Sequence, residues 1–235
     1  MFSLKIDVHV HTAYSDGRGT VREILKIAKF KGLDGLAITD HDCLKGYFKA
    51  KLYSSGLLVI PGYEVHTDAG HVLVLGLELL PSETRRIRYE ELVEWVRCMG
   101  GLTVLAHPAA GRIKLNRWIR CKPDAVEILN ALYPLHGYFV HRGLNVASKL
   151  GVPTVGGSDA HYPQNVGDAY TIVESDNPSL KDFMEYFRRG SVYFGGRLSP
   201  LSSRLKVGLG YIISMVGGYV EKIKTIRTNK KRRGL

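Results

Sequence analysis

At 235 residues and 45% hydrophobic content, the chain is long enough for one large core, so a single barrel-sized α/β domain is expected rather than two small ones. Its net charge of +11 is lopsided: residues 197–235 hold ten of the Lys/Arg residues against one acid, Glu221, a local net of +9 that leaves +2 for the rest. The cysteines (Cys43, Cys98, Cys121) form no CxxC pair and no run of about 18 apolar residues occurs, so a disulfide framework, a thiolate zinc site and a membrane span are all unsupported.

The start, MFSLKIDVHV, enters strand-like sequence without a secretory apolar region, which predicts a reducing, cytoplasmic location. Residues 4–10 alternate and are rich in β-branched side chains, the pattern of a strand. Thr20 with Glu23 three residues on has capping-box spacing and opens a helix ending at Gly32. A buried strand is expected at 33–39, a helix from Leu44 to Gly56, a strand at 57–65 and another at 71–77. IRYEELVEWVRCMGG reads as an amphipathic helix closed by two glycines. Short apolar runs follow at 100–107, 123–129 and 151–157, the last two separated by a helix over 135–151. Strands DAYTIVE and SVYFGG, with the helix SLKDFMEYFRRG between them, complete the pattern. This alternation predicts a parallel α/β fold.

Histidines and carboxylates recur where these strands end. They are His9, His11 and Asp16 in DVHVHTAYSDG, Asp40 and His41 in TDHD, Glu64 in GYEV, His107 in AHP, and Asp159 and His161 in GGSDAH; His71 instead opens its strand. In (β/α) barrels the functional groups lie at the C-terminal strand ends, and one ring of ends can gather all these residues. A single barrel of about seven strands is therefore favoured over a doubly wound sheet. Neutral imidazoles and ionised carboxylates converging from several directions are what a divalent cation needs. His9 and His11, two apart on a strand, share a face. Glu64 directly after an apolar strand needs a partner if buried. The glycines before Asp159 allow close backbone approach. Asp40 is expected to orient a neighbouring imidazole, His66 to lie beside the site or at the surface, and His136 and His141 to be structural.

The set HxH…D, TDHD, GxE…GH, AHP and GSDAH resembles the PHP (polymerase and histidinol phosphatase) family of metal-dependent phosphoesterases over roughly residues 4–197. That resemblance implies a distorted, TIM-like seven-stranded (β/α)7 barrel with a trinuclear metal site. By position, His9, His11, Glu64 and Asp159 would hold one ion, and Glu64, His71 and His107 a second. Asp16, His41 and His161 would hold the third. Glu64, Asp159 and His161 would be the catalytic residues. The nitrogen and oxygen donors, without thiolate, suit three Zn, Mn or Fe ions. Such ions lower the pKa of a bound water from about 15.7 towards 7 and hold a phosphoryl group, so no serine nucleophile is needed. Neither a GxSxG elbow nor a P-loop is present. Arg112, Arg142 and Arg197 are candidates for binding substrate phosphate through their guanidinium forks.

The expected domains are a barrel over 1–200 and a C-terminal helical extension over 201–235. In the latter, Leu205, Leu209, Ile212, Val216, Tyr219, Ile223 and Ile226 form a helical stripe that Gly208, Gly210, Gly217 and Gly218 weaken. The stripe is read as covering the barrel, with an anionic membrane surface as the alternative. The final TNKKRRGL suits nucleic-acid phosphates, without aromatic residues for stacking. The expected function is hydrolysis of a phosphate ester in a nucleotide or short oligonucleotide by a metal-activated water. The alternatives are a phosphatase for a small metabolite resembling histidinol phosphate, and a nucleic-acid-binding module with structural metal.

Overall fold

The computed structural model describes residues 3–54, 56–175 and 177–209. Two compact units are delimited, residues 1–199 and residues 200–235. In the first, β1 (Ser3–Val10), α1 (Val21–Phe30), β2 (Gly35–Ile38), α2 (Lys45–Tyr53) and β3 (Leu58–Thr67) follow in order. The three strands are parallel neighbours. The α1 start is a capping box: the Glu23 amide donates to the Thr20 hydroxyl, and the Thr20 amide donates to the Glu23 carboxylate at 2.8 Å.

β4 (Gly70–Leu75) turns straight back and pairs antiparallel with β3. After α3 (Tyr89–Cys98), β5 (Leu102–Leu105) runs antiparallel to β4. α4 (Leu115–Arg120), β6 (Ala125–Asn130), α5 (His136–Leu150) and β7 (Thr154–Gly157) follow, and β5, β6 and β7 are parallel. The last elements are β8 (Ala169–Glu174), α6 (Leu180–Arg188) and β9 (Val192–Gly196), with β8 antiparallel to both β1 and β9.

These strands form one sheet in the order β7-β6-β5-β4-β3-β2-β1-β8-β9. It curls until its far side meets its beginning. The Gly156 amide donates to the Thr171 hydroxyl oxygen at 3.3 Å, and that hydroxyl donates to the Gly156 carbonyl at 2.9 Å. Val10 also bridges Ala160 in parallel. The result is a nearly closed, distorted barrel, as expected from the strand-end pattern. The described sheet has nine strands rather than seven and is mixed rather than parallel. α4 was not anticipated.

Two bulges aim the side chains that matter. β1 has an extra residue relative to β2 between the pairs Asp7–Leu36 and Val10–Ile38. Ile6 and Val8 therefore pack in the inner apolar cluster while Val10 joins the outer cluster with Ile24 and Ile38. His9 and His11 follow onto the inner face at the end of β1. β6 has a similar shift between Glu127 and Leu129.

Residues 201–209 of the second unit are helical. Leu205 and Leu209 of the expected stripe fall on that helix; the rest of the stripe and the basic tail lie outside the described residues. No helix among the described residues is long and apolar enough to cross a membrane.

Candidate metal centre

All nine side chains singled out as ligands meet at one end of the barrel. Glu64 is at the centre, 2% exposed, and its two oxygens face five imidazoles. Oε1 lies 2.7 Å from His71 Nδ1 and 3.2 Å from His107 Nε2. Oε2 lies 3.2 Å from His11 Nε2, 3.3 Å from His9 Nε2 and 3.5 Å from His41 Nδ1. Asp159 Oδ1 adds contacts of 3.5 Å to His9 Nε2 and 3.3 Å to His11 Nε2. Across the pocket, Asp16 Oδ2 is 3.1 Å from His161 Nε2 and 3.5 Å from His41 Nε2.

The antiparallel turn of β4 explains why His71 opens its strand yet reaches the centre. His71 pairs with His66, two residues beyond Glu64, so the start of β4 sits beside the end of β3. Two further ligand positions carry left-handed backbone, φ 31° at His107 and φ 52° at Asp159. Such conformations cost about 1–3 kcal/mol in non-glycine residues and persist where surroundings over-determine them.

Donor chemistry tests whether cations fit here. His9 Nδ1 lies 2.9 Å from Glu127 Oε1, a carboxylate that can only accept, so the ring proton is assigned to Nδ1. His9 Nε2 then presents a lone pair to Glu64, to Asp159 and to His11 Nε2 at 3.1 Å. His161 behaves alike: Nδ1 donates to the Asp159 carbonyl at 2.8 Å, which turns Nε2 toward the Asp16 carboxylate. His11 Nδ1 is buried without a hydrogen bond. Acceptors facing acceptors in a buried pocket require positive charge between them. Burial alone opposes charge on His11, yet its contacts with Asp159 and Glu64 raise it to about 10. Burial likewise works against ionisation of Glu64, while His9, His107, His11 and His71 hold it well below the usual carboxylate range. A divalent cation supplies the same positive charge as those protons and displaces them. Five triads could each seat an ion, their ligand atoms lying within 4.8 Å of one another: His9–His11–Glu64, His9–His107–Asp159, His11–Asp16–His41, His11–Asp159–His161 and Glu64–His71–His107.

Several supporting residues escaped the sequence reading. Glu127, fully buried on β6, faces His9 and also accepts the His107 amide at 2.8 Å and the Asn130 side-chain amide at 3.0 Å. Asn130 donates as well to Asp159 Oδ2 at 3.0 Å, leaving Oδ1 turned to the imidazoles. An acid inside the apolar run AVEILN was the available signal, since a buried carboxylate needs partners. Asp7 accepts from the amides of Ser158 and Gly167, pinning the 158–167 segment to β1, and burial pushes its carboxyl up to about 6.

Asp40 corrects an expectation. It accepts from Thr12 N, Thr12 Oγ1 and Ser15 Oγ at 2.6–2.7 Å, bracing the loop that carries Asp16. It was expected to orient an imidazole, but its short polar partners drew it to the loop instead. His66 is exposed, its ring 4.6 Å from that of His71, and His136 and His141 are exposed on α5. Arg142 donates to the carbonyls of Ala109 and Gly111 at 2.6 and 3.1 Å, while Arg112 and Arg197 are exposed.

Glu127→Gln is expected to weaken metal binding about 10- to 100-fold, the usual range for a carboxylate behind a ligating histidine. The fold should be retained, because the amide keeps the shape. Titration against a competing chelator measures this; unchanged affinity would rule out an orienting role.

Known proteins place this arrangement. A family profile described as PHP domain matches residues 7–109, and one described as PHP-associated matches 140–192. An uncharacterized protein of Methanocaldococcus jannaschii is 32% identical over 145 residues, covering 55% of this chain and 84% of that protein. The chain belongs to the PHP family of metal-dependent phosphoesterases. Among named enzymes, it is 36% identical over 80 residues to a phosphoribosyl 1,2-cyclic phosphate 1,2-diphosphodiesterase of Eggerthella lenta, covering 31% of this chain and 30% of that enzyme. It is 35% identical over 82 residues to a 3',5'-nucleoside bisphosphate phosphatase of Chromobacterium violaceum, covering 33% and 29%. The fold is shared, at a TM-score of 0.70 and 18% identity, with a two-domain protein of Bacteroides vulgatus containing a predicted PHP-like metal-dependent phosphoesterase; the match covers 83% of this chain and 65% of that one.

Proposed function

We propose that this chain hydrolyses a phosphate ester in a nucleotide or short oligonucleotide, using up to three Zn, Mn or Fe ions. The observation that carries the reading is Glu64, one buried carboxylate facing five imidazoles from its two oxygens. His9, His11, Glu64 and Asp159 would hold one ion, Glu64, His71 and His107 a second, and Asp16, His41 and His161 the third. When bound, such ions neutralise the phosphoryl oxygens and supply an acidified water as nucleophile.

The remaining roles belong to the protein. Asn130 holds Asp159 and Glu127 holds His9, so both ligands are set before a cation arrives. His161, whose Nδ1 is committed to a carbonyl, offers Nε2 as a ligand beside Asp16. Arg142 steadies the loop after His107 and brings positive charge beside it, and Arg112 and Arg197 would take the outer phosphate oxygens. The two named relatives act on a cyclic phosphate diester and on a nucleoside bisphosphate by name, which supports a nucleotide-like substrate.

With Mn²⁺ the purified protein is expected to hydrolyse an aryl phosphate, and His9→Ala or Asp159→Ala to abolish turnover while circular dichroism stays unchanged. Full turnover in both variants would overturn the assignment. A panel of mononucleotides, oligonucleotides, and sugar or amino-alcohol phosphates then separates the nucleotide reading from the small-metabolite one.

A further inference from the structure

Beside the metal centre lies a basic, partly aromatic groove whose chemistry the site does not use. On α1, Arg22, Lys26 and Lys29 are spaced four and three residues apart and so share a helix face. The one acid on α1, Glu23, is turned away into the Thr20 capping box. On α2, Lys49 and Tyr53 face them: the Arg22 guanidinium sits 4.4 Å from the Tyr53 ring centre and the Lys49 ammonium 5.0 Å from it. Among the described residues, neither cation forms an ion pair with a carboxylate. Both rest on an aromatic ring, which gathers cations without neutralising them.

Two adjoining cavities of about 300 and 270 Å³ share Arg22 and Tyr53, and no acidic residue lines either. The first is walled by Tyr14, whose side chain is 45% exposed. Tyr14 belongs to the loop that carries Asp16, held by the Tyr14 amide donating to Thr12 Oγ1 and the Ala13 amide to the Gly19 carbonyl. The groove therefore continues from the wall of the metal centre outward along α1.

A basic helix face alone is commonly just a solvated surface. Here the cations are concentrated in a concavity, free of acids and continuous with the reacting pocket. We propose that this groove is a track for single-stranded nucleic acid. Arg22 and Lys49 bind the backbone phosphate next to the scissile one, Lys26 and Lys29 bind those further along, and Tyr14 stacks on a base. The proposal rests on the phosphoesterase reading and narrows its substrate to an oligonucleotide.

The test compares Arg22→Gln/Lys49→Gln and Tyr14→Ala with wild type on a thymidine oligonucleotide and on the p-nitrophenyl ester of thymidine 5'-phosphate. These positions are exposed or half-buried, so folding should survive. The double variant should lose about tenfold or more in kcat/KM on the oligonucleotide. On the nucleoside ester it should stay within about twofold. Binding of a labelled phosphorothioate thymidine oligonucleotide should show a log–log salt slope shallower by about 1.4, roughly 0.7 for each lost phosphate contact. Tyr14→Ala should weaken that binding without changing the slope. Equal losses on both substrates, or an unaltered oligonucleotide rate, would overturn the groove while leaving ester hydrolysis intact. If wild type cleaves neither substrate, the phosphoesterase reading fails first and the groove with it.

Discussion

Glu64→Gln is expected to lower phosphate-ester turnover by about a thousandfold or more, equivalent to some 4 kcal/mol of lost transition-state stabilisation. The amide keeps the size and shape of the carboxylate, so the effect is one of charge. Both oxygens of Glu64 face imidazole nitrogens, and a neutral amide can balance neither bound cations nor imidazolium protons. A second consequence appears without metal. In chelated wild type, buried His9 and His11 are held protonated by Glu64 together with Asp159 and, for His9, Glu127. Removing the central anion breaks a buried charge cluster, a change that costs about 3–5 kcal/mol. The chelated variant should therefore melt roughly 6–20 °C below chelated wild type. Calorimetry of both proteins in chelator checks this, and coincident melting curves would show that Glu64 does not balance the imidazoles.

Gly157→Ala is the second large effect, and it acts without touching any ligand atom chemically. A Cβ at Gly157 would lie 2.5 Å from the Cβ of His9 and 2.6 Å from Glu127 Oε1. The His9 Cβ is anchored to the β1 backbone and has nowhere to swing, so strand or ring must shift. Overpacking of this kind costs about 1–3 kcal/mol, a fall in melting temperature of roughly 2–12 °C. The displaced pair is a ligand and the carboxylate behind it, so metal affinity should fall about 10- to 100-fold as well. Gly137→Ala is the control: nothing lies within 4 Å of its Cβ position, and alanine favours the helix. Gly157→Ala behaving like Gly137→Ala in melting and metal titration would contradict the crowding argument.

The positions of the ligands were legible because each sits where a strand ends, and chain order with residue type was enough to mark it. Strand direction was harder to read. Alternation of side chains has the same period in parallel and antiparallel strands, so β4 looked like any other strand. Its reversal is set by the two-residue connection between Thr67 and Gly70, too short for the crossover that parallel strands need. The bulges in β1 and β6 were equally hidden, being register relations between strands rather than patterns within one. Asp40 and Glu127 exchanged the roles their neighbourhoods implied. Asp40, beside His41, braces the 12–15 loop, whereas Glu127, distant in sequence, orients His9. Only the three-dimensional meeting of β1 and β6 decides which carboxylate lies behind which imidazole.

Metal content measured together with anomalous diffraction from Mn²⁺-loaded crystals tests the central claim most directly. Three ions per chain, grouped around Glu64 and touching His9, His11, Asp16, His41, His71, His107, Asp159 and His161, is the predicted result. A protein that retains no metal after desalting, or holds a single ion away from Glu64, would contradict it.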